Sequence, residues 1–356
     1  MNWFAVVTVL MLSLAVTGLA IRPAISLAEK YQLVDRPARH KRHDRPVPYV
    51  GGVVLFAAVW LAVAAGLVLF PDALPELRPS LLYVFSGAFI VFLMGLADDL
   101  VSLSAWTKLA AQTATGLVLF LGGLSIDPIT IPFMGSYQIG SLSVVITVLW
   151  VVMLTNAINL IDGLDGLAAG VSLIAALTLA VIGTLYLASS AVLFACALIG
   201  FLVLFLMYNR YPARIFLGDS GSLQLGYYFA VISLLVPIKA YTAAALYLPL
   251  LALGVPLMET AISFSRRLVA GRNVLKADRR HLFHYLSLAG LSPRAVVWVF
   301  YLVSSVFGLF ALAMYFLNRL IVFGLLVLFM VVISGLFLIF MARLSRPGRD
   351  RRATRS

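Results

Sequence analysis

The stretch LSVVITVLWVVMLTNAINLIDGLDG, residues 142–166, decides the fold. Its first part carries no charge and continues as an apolar run to about residue 160. That is long enough to cross a bilayer core as a helix, whereas a membrane β-strand shows short alternating segments. Polarity then changes abruptly, with Asn156, Asn159, Asp162 and Asp165 at every third residue. On a regular α-helix such a set drifts by about 60° per step and cannot share one stripe. Gly163 and Gly166 resolve the conflict. The helix carries Asn156 and Asn159 and breaks near Asp162, and the Asp-Gly pairs form a tight polar turn where backbone can approach a ligand. Two Asn and two Asp at membrane depth are costly without a ligand or partner. A hydrogen-bonded network between helices is the alternative reading.

Outward from this stretch the pattern repeats. The chain of 356 residues is 63% apolar and 11% charged, against about 25% charged in a soluble domain. Its mean hydropathy is +1.06. Such a chain needs lipid as solvent, with every backbone polar group satisfied inside helices. The expected class is therefore all-α and polytopic. Eleven spans are expected, near 2–21, 50–70, 80–97, 107–123, 142–160, 167–187, 190–207, 222–237, 241–263, 295–317 and 321–342. Residues 1–343 are expected to form a single transmembrane domain, and 344–356 a basic tail. The first span lacks a basic start and is read as a retained helix, not a cleaved signal. Cys196 is the single cysteine and offers neither a disulfide framework nor a metal cluster.

Charge gives the chain a side. Of 26 Lys and Arg, one set of alternate loops holds Arg78, Lys239 and Arg319, and the other set holds the remaining 23. Under the positive-inside rule the N-terminus is exterior and the C-terminus cytoplasmic. The cytoplasmic stretches are then 22–49, 98–106, 161–166, 208–221, 264–294 and the tail. The net charge of +12 follows topology, not a single nucleic-acid-binding domain. His40, His43, His281 and His284 fall on the cytoplasmic side, as do Asp98, Asp99, Asp162, Asp165 and Asp219. The exterior loops hold Asp72, Glu76 and Asp127 without polar motifs beside them.

Four further constellations share that side. Asp98-Asp99 ends the third span, and Lys108 opens the fourth. Adjacent carboxylates repel, and a divalent cation with a phosphate ligand would compensate them; a solvated helix cap is the plain alternative. Gly218-Asp219-Ser220-Gly221-Ser222, after Asn209 and its neighbours, can set an Asp and backbone N–H groups at a helix N-terminus, an environment for phosphate and metal or a simple cap. The late loop carries Arg266, Arg267, Arg272, His281 and His284, a set suited to a diphosphate. A zinc site from the histidines lacks a supporting ligand pattern. The first loop, with Asp35, His40, Lys41, His43, Pro46, Pro48, Gly51 and Gly52, is basic and could contact anionic lipid heads.

In combination and in order, Asp-Asp then Lys108, Asn-x-x-Asn-x-x-Asp-Gly-x-Asp-Gly, Phe-Leu-Gly-Asp-x-Gly-Ser and the His loop resemble the polyprenyl-phosphate N-acetylhexosamine-1-phosphate transferase superfamily over nearly the whole chain. The first loop looks more like the branch using UDP-GlcNAc, which initiates O-antigen, enterobacterial common antigen or teichoic acid. The phospho-MurNAc-pentapeptide transferase branch usually carries three consecutive His in the late loop, and this chain does not. Two positions depart from the GlcNAc branch: His40 stands where Arg usually precedes the Lys, and Phe283 interrupts a His-x-His-His pattern. Another N-acetylhexosamine donor stays open.

The resemblance implies an Mg²⁺-dependent enzyme of the bacterial inner membrane, with Mn²⁺ as a substitute and the active site on the cytoplasmic face. Its substrates would be a UDP-N-acetylhexosamine and undecaprenyl phosphate; a homodimer is compatible. Asp219, with Asp98, would hold the metal. Asp98, Asp99, Lys108 and Asp162 would form the catalytic set. Asp165 and Asn209 would recognise uridine, and Asn156 and Asn159 would shape the floor. Arg267, His281 and His284 would cover the sugar diphosphate. Lys41 and His43 would face the lipid phosphate. The rival class is a secondary transporter or flippase, which places polar residues at the midplane of an internal repeat; here they lie on one side, and no repeat is visible.

Overall fold

The structure, a computed structural model, describes residues 1–35, 45–131, 135–236, 244–269 and 282–344. Thirteen α-helices follow in order among the described residues. They are α1 (Trp3–Lys30), α2 (Gly51–Leu69), α3 (Leu81–Val101), α4 (Ala105–Leu121), α5 (Leu142–Ile161), α6 (Leu167–Leu185), α7 (Ser189–Asn209), α8 (Gly218–Leu235), α9 (Ala244–Ala252), α10 (Gly254–Val269), α11 (Leu282–Leu288), α12 (Pro293–Phe316) and α13 (Arg319–Leu344). Two small antiparallel ribbons join them. Strands β1 (Val34–Asp35) and β2 (Val47–Pro48) pair before α2, and β3 (Ile129–Ile131) and β4 (Gly135–Tyr137) pair before α5.

Seven helices are long and apolar enough to cross a membrane: α1, α2, α3 with the turn before it, α5, α6, α7 and α12. Their outward faces carry large apolar side chains such as Phe4, Leu19, Leu61, Leu93, Trp298 and Leu309. Lipid covers those faces without cost, so the bundle is a polytopic membrane protein.

The middle of the bundle is α8, packed against α2, α3, α5 and α7. Every residue from Ser220 to Leu235 is buried. Because it meets protein on all sides, α8 tolerates polar groups that a lipid-facing helix would not, provided each has a partner. Trp60 donates from Nε1 to the Tyr228 hydroxyl at 3.1 Å, which donates to Gln224 Oε1 at 3.1 Å. Tyr227 donates to the Val84 carbonyl at 2.7 Å, and Trp150 to Ser233 Oγ at 2.8 Å. Gly226 lets α8 lie against the α5 backbone at Leu154 and Thr155, where any Cβ would collide. In lipid such close contact and buried hydrogen bonds, not water exclusion, hold helices together.

Three elements differ from expectation. Helix α1 continues to Lys30 with Pro23 inside it, beyond the expected end at 21. The stretch 241–263 is divided into α9 and α10, and Gly254, at the break, lies against the Phe307 ring of α12. Helix α8 starts at Gly218, not 222, for the reason given next.

Candidate active site

Six helix ends meet at one end of the bundle: the C-termini of α3, α5 and α7 and the N-termini of α4, α6 and α8. Alternating direction brings all the sequence motifs between them to one place. The turn from α3 to α4 is tight. Ser102 sits in the left-handed region at φ 51° and donates its N–H to the Asp98 carbonyl at 3.0 Å. Ser104 Oγ then accepts from Thr107 N at 3.1 Å and starts α4. Lys108 therefore occupies the first turn of α4, facing the carboxylates.

Asp99 fixes the start of α8. Its two oxygens accept the backbone N–H groups of Asp219 at 2.7 Å and Ser220 at 3.1 Å. The first N–H groups of a helix have no internal partner and carry partial positive charge, so a carboxylate there is doubly favourable. Gly218 precedes them at φ 70°, and a Cβ there would strike Asp99 and the Tyr49 carbonyl. This remote cap explains why α8 begins at Gly218. Segment 48–52 ties the same turn from the other side. Phe216 donates to the Pro48 carbonyl at 2.7 Å, while Gly51 and Gly52 donate to Phe216 and Leu217 at 3.0 Å each.

The Asp219 side chain projects from this clamp between two donors. Lys108 Nζ reaches Oδ2 at 2.9 Å, and Asn159 Nδ2 reaches Oδ1 at 3.0 Å and also Ser222 Oγ at 2.9 Å. Lys108 pairs as well with Asp98 Oδ2, whose other oxygen accepts from Leu103 N at 2.6 Å. The exposures separate the two acids: the Asp98 side chain is 8% exposed, that of Asp219 31%. Asp98 is covered at the α3–α4 bend, and Asp219 lines the cavity.

A cavity of about 450 Å³ opens beside this cluster, within the range of small-molecule sites. Asp99, Asp162, Asp165, Asn209, Asp219 and His284 are among its walls. Asp162 remains partly exposed as a residue, yet its carboxyl is enclosed. Burial first, and then the charges of Asp219, Asp99 and Asp165, push it up to about 8. Asp165 Oδ2 accepts from Ala213 N at 2.9 Å. Asn209 is buried, with Oδ1 accepting from Gly166 N at 3.0 Å and Nδ2 donating to the Ile215 carbonyl at 2.8 Å. These bonds lock the Asp-Gly turn to the end of α7.

Among the described residues no three His, Cys, Asp or Glu groups come together as a protein-only metal cage. The donors present are hard carboxylate oxygens: Asp219 lines the cavity, and burial first, then neighbouring charge, disfavours the Asp162 anion. That set fits a divalent cation that shares its shell with substrate phosphates, as Mg²⁺ does.

The structure thus brings Asp98, Asp99, Lys108, Asn159, Asp162, Asp165, Asn209, Asp219 and His284 to one end. Asn156 stands one turn deeper, with Nδ2 on Gln112 Oε1 at 2.8 Å and on the Val152 carbonyl at 2.7 Å. Arg267, half-exposed on α10, is not among the cavity walls. Lys41, His43, His40 and His281 lie outside the described residues. Tyr49, Tyr211 and Phe216 also line the cavity; each sits inside or beside a quoted motif, its one available signal in the sequence. The sequence reading also passed over Gln112, four residues after Lys108 on the same helical face.

Comparisons with known proteins give the chain a family. The model of glycosyl transferase family 4 matches residues 81–237, from the start of α3 to just past α8. A probable undecaprenyl-phosphate N-acetylglucosaminyl 1-phosphate transferase of Bacillus subtilis strain 168 is 37% identical over 328 residues, covering 89% of this chain and 88% of that protein. An undecaprenyl-phosphate alpha-N-acetylglucosaminyl 1-phosphate transferase of Thermotoga maritima is 36% identical over 260 residues, 73% of this chain and 75% of its own. A phospho-N-acetylmuramoyl-pentapeptide-transferase of Heliobacterium modesticaldum is 32% identical over 277 residues, 75% of this chain and 83% of its own. The chain belongs to glycosyl transferase family 4, the polyprenyl-phosphate N-acetylhexosamine-1-phosphate transferase superfamily that its motifs resemble.

Proposed function

We propose that this protein transfers GlcNAc-1-phosphate from UDP-GlcNAc to undecaprenyl phosphate and releases UMP. The observation that carries the reading is Lys108 held between Asp98 and Asp219 at the edge of a cavity walled by further carboxylates. Phosphoryl transfer asks a protein mainly for positioning and charge neutralisation, and this cluster supplies both.

In the reaction an oxygen of the lipid phosphate attacks the sugar-bearing phosphorus and forms a new P–O bond. The bond from that phosphorus to the bridging oxygen breaks, and its electron pair leaves with UMP. Asp219 would hold Mg²⁺, for which Mn²⁺ would substitute, and the bound ion would supply positive charge to the donor diphosphate. Lys108 adds the second positive charge. Asn159 and the Asp99 cap keep Asp219 aimed at the cavity, and Asp98 orients Lys108 and the acceptor phosphate. A phosphate monoester is already mostly ionised near pH 7, so the carboxylates serve charge and position more than base catalysis. His284 closes the donor side.

The chain would cross the bacterial inner membrane eleven times, with α9 and α10 together making one crossing. The N-terminus would be exterior, the C-terminus cytoplasmic and the active site on the cytoplasmic face. The excess of Lys and Arg in loops at that end supports this orientation, and the apolar flanks keep the lipid acceptor in the bilayer. The test is UMP release by purified protein in detergent with Mg²⁺, undecaprenyl phosphate and UDP-GlcNAc. Release that needs both lipid and metal is expected. Silence with UDP-GlcNAc but release with UDP-MurNAc-pentapeptide would move the chain to the other branch. Silence with every UDP-N-acetylhexosamine would overturn the reading.

A further inference from the structure

Glu259 is 1% exposed on α10 and belongs to none of the motifs at the cavity. Its two carboxylate oxygens lie 3.0 and 3.2 Å from the backbone N–H of Leu282. Leu282 is the first described residue of α11, and its N–H is thereby tied to α10. The next residue, Phe283, is 2% exposed, and its ring occupies the space over Gly163 that any Cβ would fill. His284 follows, its ring centroid 4.3 Å from that of Phe283, and lines the cavity with Asp162 and Asp219. A chain of contacts therefore runs from α10 through the start of α11 to the Asp162-Gly163 turn and the cavity wall.

We infer that Glu259 is a positioning residue for the sugar-nucleotide donor. It holds the first turn of α11, which seats Phe283 on Gly163 and so sets His284 at the cavity. The inference rests on the transferase reading and adds to it a residue that touches neither substrate. It also gives Phe283 a reason: the ring is the pivot that a glycine at 163 makes room for. The carboxylate matters because a charged acceptor binds a backbone N–H more strongly than a neutral one does. A small displacement of a donor-facing group is enough to slow the reaction.

The test compares Glu259→Ala, Glu259→Gln and His284→Ala, alone and combined, in the full-length protein. Glu259→Ala should raise KM for UDP-GlcNAc roughly 10-fold, a small misplacement effect, with KM for undecaprenyl phosphate within about 2-fold. Glu259→Gln keeps one neutral acceptor oxygen and should recover part of the loss, which also covers the case in which the alanine variant folds poorly. On the His284→Ala background the Glu259 change should add less than about 2-fold, because residues acting through one another are not additive. Multiplicative losses, or equal loss of both substrates, would overturn the inference. Amide hydrogen exchange over residues 282–288 gives an activity-independent reading: it should quicken in Glu259→Ala. Unchanged exchange sinks the positioning role even if the transferase reading stands. Quickened exchange in a protein without transferase activity would leave the latch intact and fault the functional reading.

Discussion

Both ends of the bundle cap a helix with a carboxylate from a distant segment, and the two caps differ in what surrounds them. At one end Glu76, before α3, accepts from Ser190 N at 3.1 Å and from Ser190 Oγ at 2.6 Å, so holding the start of α7. Nearby, Asp127 accepts from Ile139 N at 3.1 Å. Each acid meets a backbone N–H of its own. At the other end Asp99 caps α8 in the same manner, but Asp98, Asp162, Asp165 and Asp219 stand around it. Lys108 bridges just two of those four. The lesson is that a carboxylate with a helix to cap and no acid beside it is architecture, while five carboxylates gathered round Lys108, with Asp99, Asp162, Asp165 and Asp219 walling one cavity, carry a negative charge that this one cation does not balance. The Asp162 carboxyl is pushed up to about 8 first by burial and then by the charges of Asp219, Asp99 and Asp165.

The largest effect should come from Asp219, which lines the cavity. Asp219→Asn should lower kcat by about 1000-fold or more, the scale of a lost transition-state charge partner, with an unchanged melting temperature; turnover near the wild-type level would break the contrast between the ends. Lys108→Met should cost roughly 100-fold in kcat/KM and also lower stability, because it strands the enclosed Asp98. Lys108→Arg should restore part of both, since it returns a charge; a Met variant as active as wild type would show that the bridge is only structural.

Asp162 sharpens the comparison through pH. In the unfolded chain this carboxyl ionises near pH 4, whereas in the fold it keeps its proton up to about 8. The folded state then binds the extra proton, so its stability is full below pH 4 and falls as pH rises toward 8. Asp162→Asn removes that slope. In metal-free buffer the variant's lead in melting temperature should grow from pH 5 to pH 8 and level off above. A lead that stays constant with pH contradicts the assignment. The smallest effect on turnover should be that of Glu76→Gln: activity within about 2-fold, with about 1 kcal/mol lost from the α7 cap. A large loss of activity there would erase the distinction between the two ends.

Much of this was legible in the sequence, for reasons that individual residues show. Helices α5, α6 and α7 lie close to the expected spans because their polar residues sit at the ends. The break at Asp162 followed from the impossibility of a third-residue polar stripe on one helix. Helix α8 was placed four residues late, since Gly-Asp-Ser-Gly-Ser reads as a turn until Asp99, 120 residues upstream, supplies the cap. Its polar interior, from Gln224 to Ser233, is stabilised by Trp60, Val84 and Trp150 on other helices, which no local pattern announces. The α9–α10 break falls at Gly254, two residues before Pro256, which has no N–H to continue the ladder, and Gly254 there admits the Phe307 ring. At the site the residue types were legible and the division of labour was not. Asp98 and Asp99 are neighbours in sequence, but one closes a turn and pairs with Lys108 while the other caps α8. Gln112 and Glu259 lie inside apolar runs, where a lone polar residue gives no hint of its partner.

The most direct measurement is a Mn²⁺ titration followed by electron paramagnetic resonance, with and without UDP-GlcNAc, on wild type and Asp219→Asn. With no protein-only cage among the described residues, the account predicts weak Mn²⁺ binding by wild type alone, much tighter binding with UDP-GlcNAc, and loss of that gain in Asp219→Asn. Tight binding without nucleotide, or a nucleotide-dependent gain that survives in Asp219→Asn, would contradict it.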